Sequence, residues 1–270
     1  MEVSMTNAQD GRGKPTNQVT ATTDVLARWR TDYDMELARE AQAQFLPRKF
    51  PDLKTLSCAG ICLPAGRVGG DFYDFLSLPY QCLGLVVGDI AGKGVAAALQ
   101  MANLQATLRS LCASLSHDLR ELLRSVSEMF SENTSDGGFA TLFFGEYNDR
   151  NRLLRYANCG HPAPFILRSD KTIKRLESTG CVLGLKEDWD GSIAEVNLEP
   201  GDTLLAYSDG VTETTRDACE EFGEKRLIDF VFQHNHLSVS ELVQTIVAAL
   251  GEFGGKPEDD TTVLAARCVC

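Results

Sequence analysis

Beyond residue 54 the apolar positions fall into short blocks bounded by Gly, Pro, Asn, Asp and Ser. The blocks are rich in β-branched and aromatic residues, which predicts strands over 56–63, 72–78, 82–90, 140–147, 153–159, 164–168, 193–198, 203–208 and 262–268. Helical spacing interrupts them in three places. Met101, Leu104, Leu108 and Leu111 share a face of a helix starting near Gly94, and a second helix covers about 118–132. Val239, Leu242, Val243, Ile246 and Leu250 stripe a third, opened by Ser238 and Glu241 as a capping box. Strands in runs, then paired helices, then more strands predict an α+β layered domain. The strict β-α alternation of a doubly wound parallel sheet is missing, and no internal repeat is visible.

The pattern before residue 54 differs. Residues 1–24 are polar and rich in Thr, Asn, Gln and Gly, which predicts a disordered tail. Residues 25–47 form an amphipathic linker helix in which Leu37, Ala38, Ala41, Phe45 and Leu46 recur at helical spacing until Pro47 stops them. The remaining chain, 48–270, reads as one domain. An apolar helical face outside a domain must bury against something. It is expected to pack on the domain, or to pair with the same helix in a homodimer through residues 34–46. Trp29 and Trp189 read as packing residues.

Composition narrows the function. Hydrophobic residues make up 43% of the 270, enough for a sizeable core, and 38 Asp and Glu against 26 Lys and Arg give a net charge of −12. That balance argues against a nucleic-acid binder, which needs cations to replace the counterions around phosphate. It leaves room for a carboxylate cluster that binds divalent metal. No apolar run reaches the roughly 18 residues of a membrane span, and the first 24 residues lack the apolar stretch of a secretory signal. The nine cysteines are scattered and odd in number, which suggests reduced thiols and a cytoplasmic location. Cys58/Cys62 and Cys268/Cys270 lack CxxC spacing and lie in strand-like stretches, where Cys behaves as a small hydrophobe. His234 and His236 have the spacing of a solvated helix end.

Four Asp-containing segments stand at strand ends or turns: VGGDFYD (68–74), VVGDIAGKG (86–94), AYSDGVTE (206–213) and PEDDTTV (257–263). Asp beside Gly is by itself an ordinary turn. Two of these segments, however, run an apolar strand into Asp, which aims a carboxylate at the sheet edge. Mg²⁺ and Mn²⁺ prefer oxygen ligands, and several Asp from different strand ends can hold two such ions about 3.5–4 Å apart. GDIAGKG is not a nucleotide-binding loop. Gly88 and Gly92 enclose three residues instead of four, and Gly94 stands where the hydroxyl residue belongs.

In order along the chain, ELAREAQAQFLPRKFP, RVGGDFYDF, VVGDIAGKGVAAAL, FATLFFGEYN, YANCGHPAPFIL, LEPGDTLLAYSDGVTE and DDTTV resemble the PPM (type 2C-like) metal-dependent serine/threonine phosphatases, in their bacterial SpoIIE/RsbU branch. The resemblance runs from about residue 36 to 268. It implies a four-layer α-β-β-α sandwich, with two antiparallel sheets flanked by helices and two Mn²⁺ or Mg²⁺ ions between the sheets. It implies that Asp89 bridges the ions and that the Ile90 carbonyl ligates one. Asp71, Asp209 and Asp259 complete the set or hold metal-bound water, and the doubled acid leaves Asp259 and Asp260 as alternatives for one place. Gly70, Gly88 and Gly210 would permit close backbone packing. Two positions depart from the broader superfamily. Ala91 stands where the eukaryotic branch has a His that helps protonate the leaving group. Arg67 lies at an offset similar to, but not identical with, that of the superfamily's phosphate-binding Arg; its planar fork suits phosphate, and a surface role is the alternative. His161, in NCGHPAP, reads as a turn histidine.

The implied activity is hydrolysis of phosphoserine or phosphothreonine on a regulatory protein, by a hydroxide held between the ions and without a phosphoenzyme. The branch points to a STAS-type anti-sigma-factor antagonist as substrate. Input is expected from a separate activator protein unless the activity is constitutive. The rival readings are a catalytically weak or dead interaction module that keeps the fold, and a hydrolase of small phosphoesters.

Overall fold

The computed structural model describes residues 18–49, 53–115, 118–134, 137–185, 189–217, 219–255 and 257–269. Helix α1 (Gln18–Ala43) precedes strands β1 (Leu56–Leu63), β2 (Phe72–Leu78) and β3 (Cys82–Ile90). Helices α2 (Gly94–Leu115) and α3 (Leu119–Asn133) follow, then strands β4 (Ala140–Asn148), β5 (Leu153–Cys159), β6 (Phe165–Leu167), β7 (Ile173–Arg175), β8 (Ala194–Asn197) and β9 (Thr203–Tyr207). The chain continues through a single helical turn, α4 (Asp209–Thr212), and a small hairpin of β10 (Thr215–Arg216) and β11 (Glu220–Glu221). It ends with α5 (Gly223–His234), α6 (Val239–Gly254) and β12 (Thr261–Cys268).

Two five-stranded sheets result, in the orders β2-β3-β4-β5-β8 and β1-β12-β9-β6-β7, with every pairing antiparallel. Alternation along the strands decides the layering. On β3, Leu83, Leu85 and Val87 face the other sheet, while Val86 and Ile90 pack against Met101, Leu104 and Leu108 of α2 and Val126 and Phe130 of α3. On β12, Leu264 and Ala266 enter the inter-sheet core, while Val263 and Ala265 meet Leu242, Ile246 and Leu250 of α6 and Leu227 and Val231 of α5. The strands are therefore apolar on both faces, and the layers run α2/α3, sheet, sheet, α5/α6, the expected four-layer sandwich.

The helix ends follow local chemistry. Asp118 caps α3 by accepting from the Arg120 and Glu121 amides. Ser238 and Glu241 form the expected capping box of α6. An ion pair between buried Asp74 and half-exposed Arg109 locks α2 on the first sheet: Asp74 accepts from Arg109 at 2.6 Å and from Gln105 at 3.0 Å. The same two side chains also donate to the Phe45 carbonyl, which ties the segment after α1 to α2.

Several expectations need correction. Helix α1 begins at Gln18, within the segment read as a disordered tail, and ends at Ala43; residues 1–17 lie outside the described residues. Extending a helix upstream from a formed turn costs little even through Thr-rich sequence. Of the expected apolar stripe, Leu46, just past the end of the helix, packs against both cores of the domain, but the larger side chains before it do not. Trp29, Tyr33, Leu37 and Phe45, four residues apart apart from the intervening Ala41, are all exposed, Trp29 by 73%. The reading of Trp29 as a packing residue fails, whereas Trp189 is buried and donates its indole N–H to the Cys181 carbonyl. Helix α5 and the short elements α4, β7, β10 and β11 were not foreseen. The described cysteines are free thiols, with Cys58, Cys112, Cys159 and Cys268 buried; Cys270 lies outside the described residues. His234 closes α5 as a helix-end residue, with Nδ1 at 2.9 Å from the Phe230 carbonyl. No helix among the described residues is long and apolar enough to cross a membrane.

Candidate active site

The four Asp segments come together at one end of the sandwich. Asp71 is the residue before β2 and Asp89 the penultimate residue of β3, so both hang from the first sheet. Asp209 opens α4 directly after β9, and Asp259 lies two residues before β12, so both hang from the second. Strand register brings them level: Phe72 pairs with Gly88, and Val263 pairs with Tyr207.

Their electrostatics record the convergence. Burial raises the Asp71 carboxyl well above the ordinary carboxylate range, and the charge of Asp89 adds to it. Burial and then the charge of Asp209 bring Asp89 up to about 7. Asp209 is raised in turn by burial and by Asp259. Such a chain of mutually raised acids marks a cleft that is short of positive charge.

Close packing of glycine shapes the cleft. A side chain on Gly210 would run into the Asp260 carbonyl, and one on Gly69 into the Asp260 carboxylate. Asp260 uses that carboxylate as a brace: one oxygen accepts from the Ala65 amide at 2.8 Å, the other from the Gly70 amide at 2.7 Å. Both of its oxygens thus hold the loop that carries Asp71. Asp259 differs. One oxygen accepts from the Asp260 amide at 2.9 Å, and the other meets the Lys93 ammonium at 2.9 Å. Of the two acids that the sequence left as alternatives, Asp259 is the one whose outer oxygen is held by an exchangeable, exposed partner.

The residues present suit hard divalent cations. Asp71 Oδ2 is buried and has no hydrogen-bond partner, an expensive arrangement unless something of opposite charge occupies its other side. The donors are all oxygen, the preference of Mg²⁺ and Mn²⁺. No three acidic, imidazole or thiol groups among the described residues surround a single point. An ion here would therefore complete its shell with backbone carbonyls and water, as Mg²⁺ commonly does.

The other singled-out residues take varied places. Arg67 stands at the rim and pairs with Glu36 of α1 at 2.8 Å. With Lys93, Met35 and residues 257–260 it lines an open groove of about 650 Å³ beside Asp259. Ala91 follows β3, and its amide donates to the Phe139 carbonyl. His161 is buried beside the Thr141 hydroxyl, 2.8 Å from Nδ1, and burial pushes its imidazole down to about 3, so it is neutral. The sequence reading missed two participants. Gln42 of α1 holds both backbone polar groups of Gly69, donating to its carbonyl at 2.6 Å and accepting from its amide at 3.1 Å. Lys93 lies in GDIAGKG, whose spacing excludes a nucleotide loop and says nothing of the lysine's partner. No sequence signal marks Gln42; the acid-rich cleft beside GKG was a signal for Lys93.

Comparison with known proteins agrees with this geometry. The RsbU and RsbW domains of Rv1364c from Mycobacterium tuberculosis superpose with a TM-score of 0.71 at 27% identity, covering 84% of this chain and 63% of that one. The catalytic domain of the serine/threonine phosphatase PstP, solved with two manganese ions, shares the fold at a TM-score of 0.61 and 15% identity, over 80% of this chain and 99% of that one. The architecture is thus that of a PPM-type, PP2C-like phosphatase domain. The family model described as Stage II sporulation protein E (SpoIIE) matches residues 79–269, and the chain belongs to that family. Among curated relatives, phosphoserine phosphatase RsbU of Bacillus subtilis is 30% identical over 87% of this chain and 70% of its own length. Protein IcfG of Synechocystis is 32% identical over 86% of this chain, which spans only 41% of that larger protein.

Proposed function

We propose that this chain hydrolyses phosphoserine or phosphothreonine esters on a regulatory protein, with a STAS-type anti-sigma-factor antagonist as the substrate. The observation that carries the reading is the meeting of Asp71, Asp89, Asp209 and Asp259 from both sheets, with a buried Asp71 oxygen left without a partner. Likeness to RsbU, a phosphoserine phosphatase, supports the substrate class. Two Mn²⁺ or Mg²⁺ ions held there would supply charge neutralisation and an activated water for in-line displacement at phosphorus. In this reading Asp89 would hold both ions and the Ile90 carbonyl one of them, Asp71, Asp209 and Asp259 would complete the set or hold metal-bound water, and Asp260 keeps the Asp71 loop in place. Arg67 would grip a substrate phosphate oxygen once Glu36 releases it. The protein would work in the cytoplasm with a separate activator, and residues 34–46, where Leu37 and Phe45 are exposed, would pair with a second copy.

The test is phosphate release from a serine-phosphorylated STAS protein. Release should stop in excess chelator and return with Mn²⁺ or Mg²⁺, while Zn²⁺ serves poorly because the ligands are hard oxygens. Full activity in chelator would end the binuclear reading. Faster turnover of a small aryl phosphate than of the phosphoprotein would favour a small-molecule phosphoesterase, and no turnover of either would favour an interaction module.

A further inference from the structure

Lys93 sits at the tip of the turn between β3 and α2, flanked by Gly92 at φ 115° and Gly94 at φ 72°. Those left-handed residues fold the turn so that the lysine stem reaches across to the loop before β12. Its ammonium lies 2.9 Å from Asp259 Oδ2 and donates to the Glu258 carbonyl at 3.2 Å. The other oxygen of Asp259 is already bonded to the Asp260 amide. The oxygen that Lys93 occupies is thus the one of the two that no backbone amide holds. The lysine side chain is 68% exposed, so the pair is easily exchanged. It also borders the same groove as Arg67.

We propose that Lys93 is a built-in counter-cation for the acidic cleft. It holds Asp259 while divalent metal is absent, gives up that oxygen when metal arrives, and then binds the phosphate of the substrate. The proposal rests on the metal-dependent reading above. Chemically it exchanges one ion pair for another. An ammonium has three donors and no acceptor. It suits a carboxylate in the empty cleft and a phosphate oxygen in the loaded one, and both stand at one end of its flexible stem. Since the lysine and the ion compete for Asp259, each weakens the other's hold.

The test compares chelator-stripped wild type with Lys93→Met and Lys93→Arg. The exposed position of residue 93 makes both changes compatible with folding. Calorimetric titration with Mn²⁺ alone should show Lys93→Met binding about two- to fivefold more tightly than wild type, the range of an exposed ion pair. Lys93→Arg should return toward wild-type affinity. With Mn²⁺ saturating, KM for a phosphoserine peptide should rise about tenfold in Lys93→Met, as expected on losing a charge-assisted hydrogen bond. Mn²⁺ affinity equal to or weaker than wild type in Lys93→Met would overturn the proposal, and so would an unchanged KM. A flat Mn²⁺ isotherm for wild type would remove the metal centre itself, and this proposal with it.

Discussion

Asp89→Asn changes a carboxylate to an amide of the same shape and should stabilise the metal-free protein. Burial and the charge of Asp209 hold the Asp89 carboxyl at about 7, against about 3.9 in an unfolded chain. A carboxyl raised on folding contributes stability that is complete below the unfolded value and lost as pH rises through the folded one. Between about pH 4 and 7 the unfolded chain ionises this group while the folded chain keeps its proton, so the folded state falls behind. The full cost is about 4 kcal/mol, at 1.36 kcal/mol per pKa unit. The amide has no proton to lose and escapes it. Urea melts of both proteins in chelator should show the mutant ahead at pH 8, with a margin about 2–3 kcal/mol wider than at pH 5. Mn²⁺ should then reverse the order. Wild type should gain about 2.7 kcal/mol at a hundredfold excess over Kd, and the mutant should gain much less and show no turnover. A mutant that melts below wild type at pH 8 in chelator, or a margin that ignores pH, would make Asp89 a structural turn residue and refute the assignment.

Other outcomes follow from the same geometry. Arg67→Ala should raise KM for a phosphoprotein with an effect of about 1.5–3 kcal/mol and leave kcat nearly unchanged, whereas Glu36→Gln should lower KM by freeing the guanidinium; steady-state kinetics on both variants decide. Gln42→Ala removes two hydrogen bonds to the backbone of Gly69, each worth about 0.5–1.5 kcal/mol, so amide exchange at Gly69 and Gly70 should quicken while exchange in β9 stays as it was. Trp189→Ala should cost about 3–5 kcal/mol in a denaturant melt, the usual result of emptying a large buried site. Deleting residues 1–33 should be nearly silent, but deleting 1–47 should change rate or mass by sedimentation, because only the second deletion removes Glu36 and Gln42.

The central strands were legible because they are apolar on both faces and bounded by turn residues. The predicted 82–90 and 153–159 match β3 and β5 end for end. Helix α5 was missed because LIDFVF, at 227–232, runs β-branched and aromatic residues together and imitates a strand. Only Leu227 and Val231 of that helix are buried. The candidate site was legible as four motifs but not as a place. Asp71 and Asp259 lie 188 positions apart in the numbering, and only pairing across two sheets puts them at one end. The contacts of α1 were illegible for another reason. Its apolar stripe signals burial, yet the helix itself is tied to the domain by the polar Glu36 and Gln42, and of the stripe it is Leu46, beyond its last turn, that packs on the cores.

The acidic cleft has no floor of its own. Asp71 and Asp89 belong to one sheet and Asp209 and Asp259 to the other, so the width of the cleft is the distance between layers, ordinarily about 10 Å. Phe143, Leu204 and Leu264, packed between the sheets, act as spacers that set the gauge of that opening. Interiors this dense pass on displacement instead of absorbing it. A methylene added or removed among those spacers reaches the carboxylates as a change of span, with no residue near the chemistry altered. In the proposed metal centre, any preference among ions of different radius would then be written partly in the greasy middle of the sandwich.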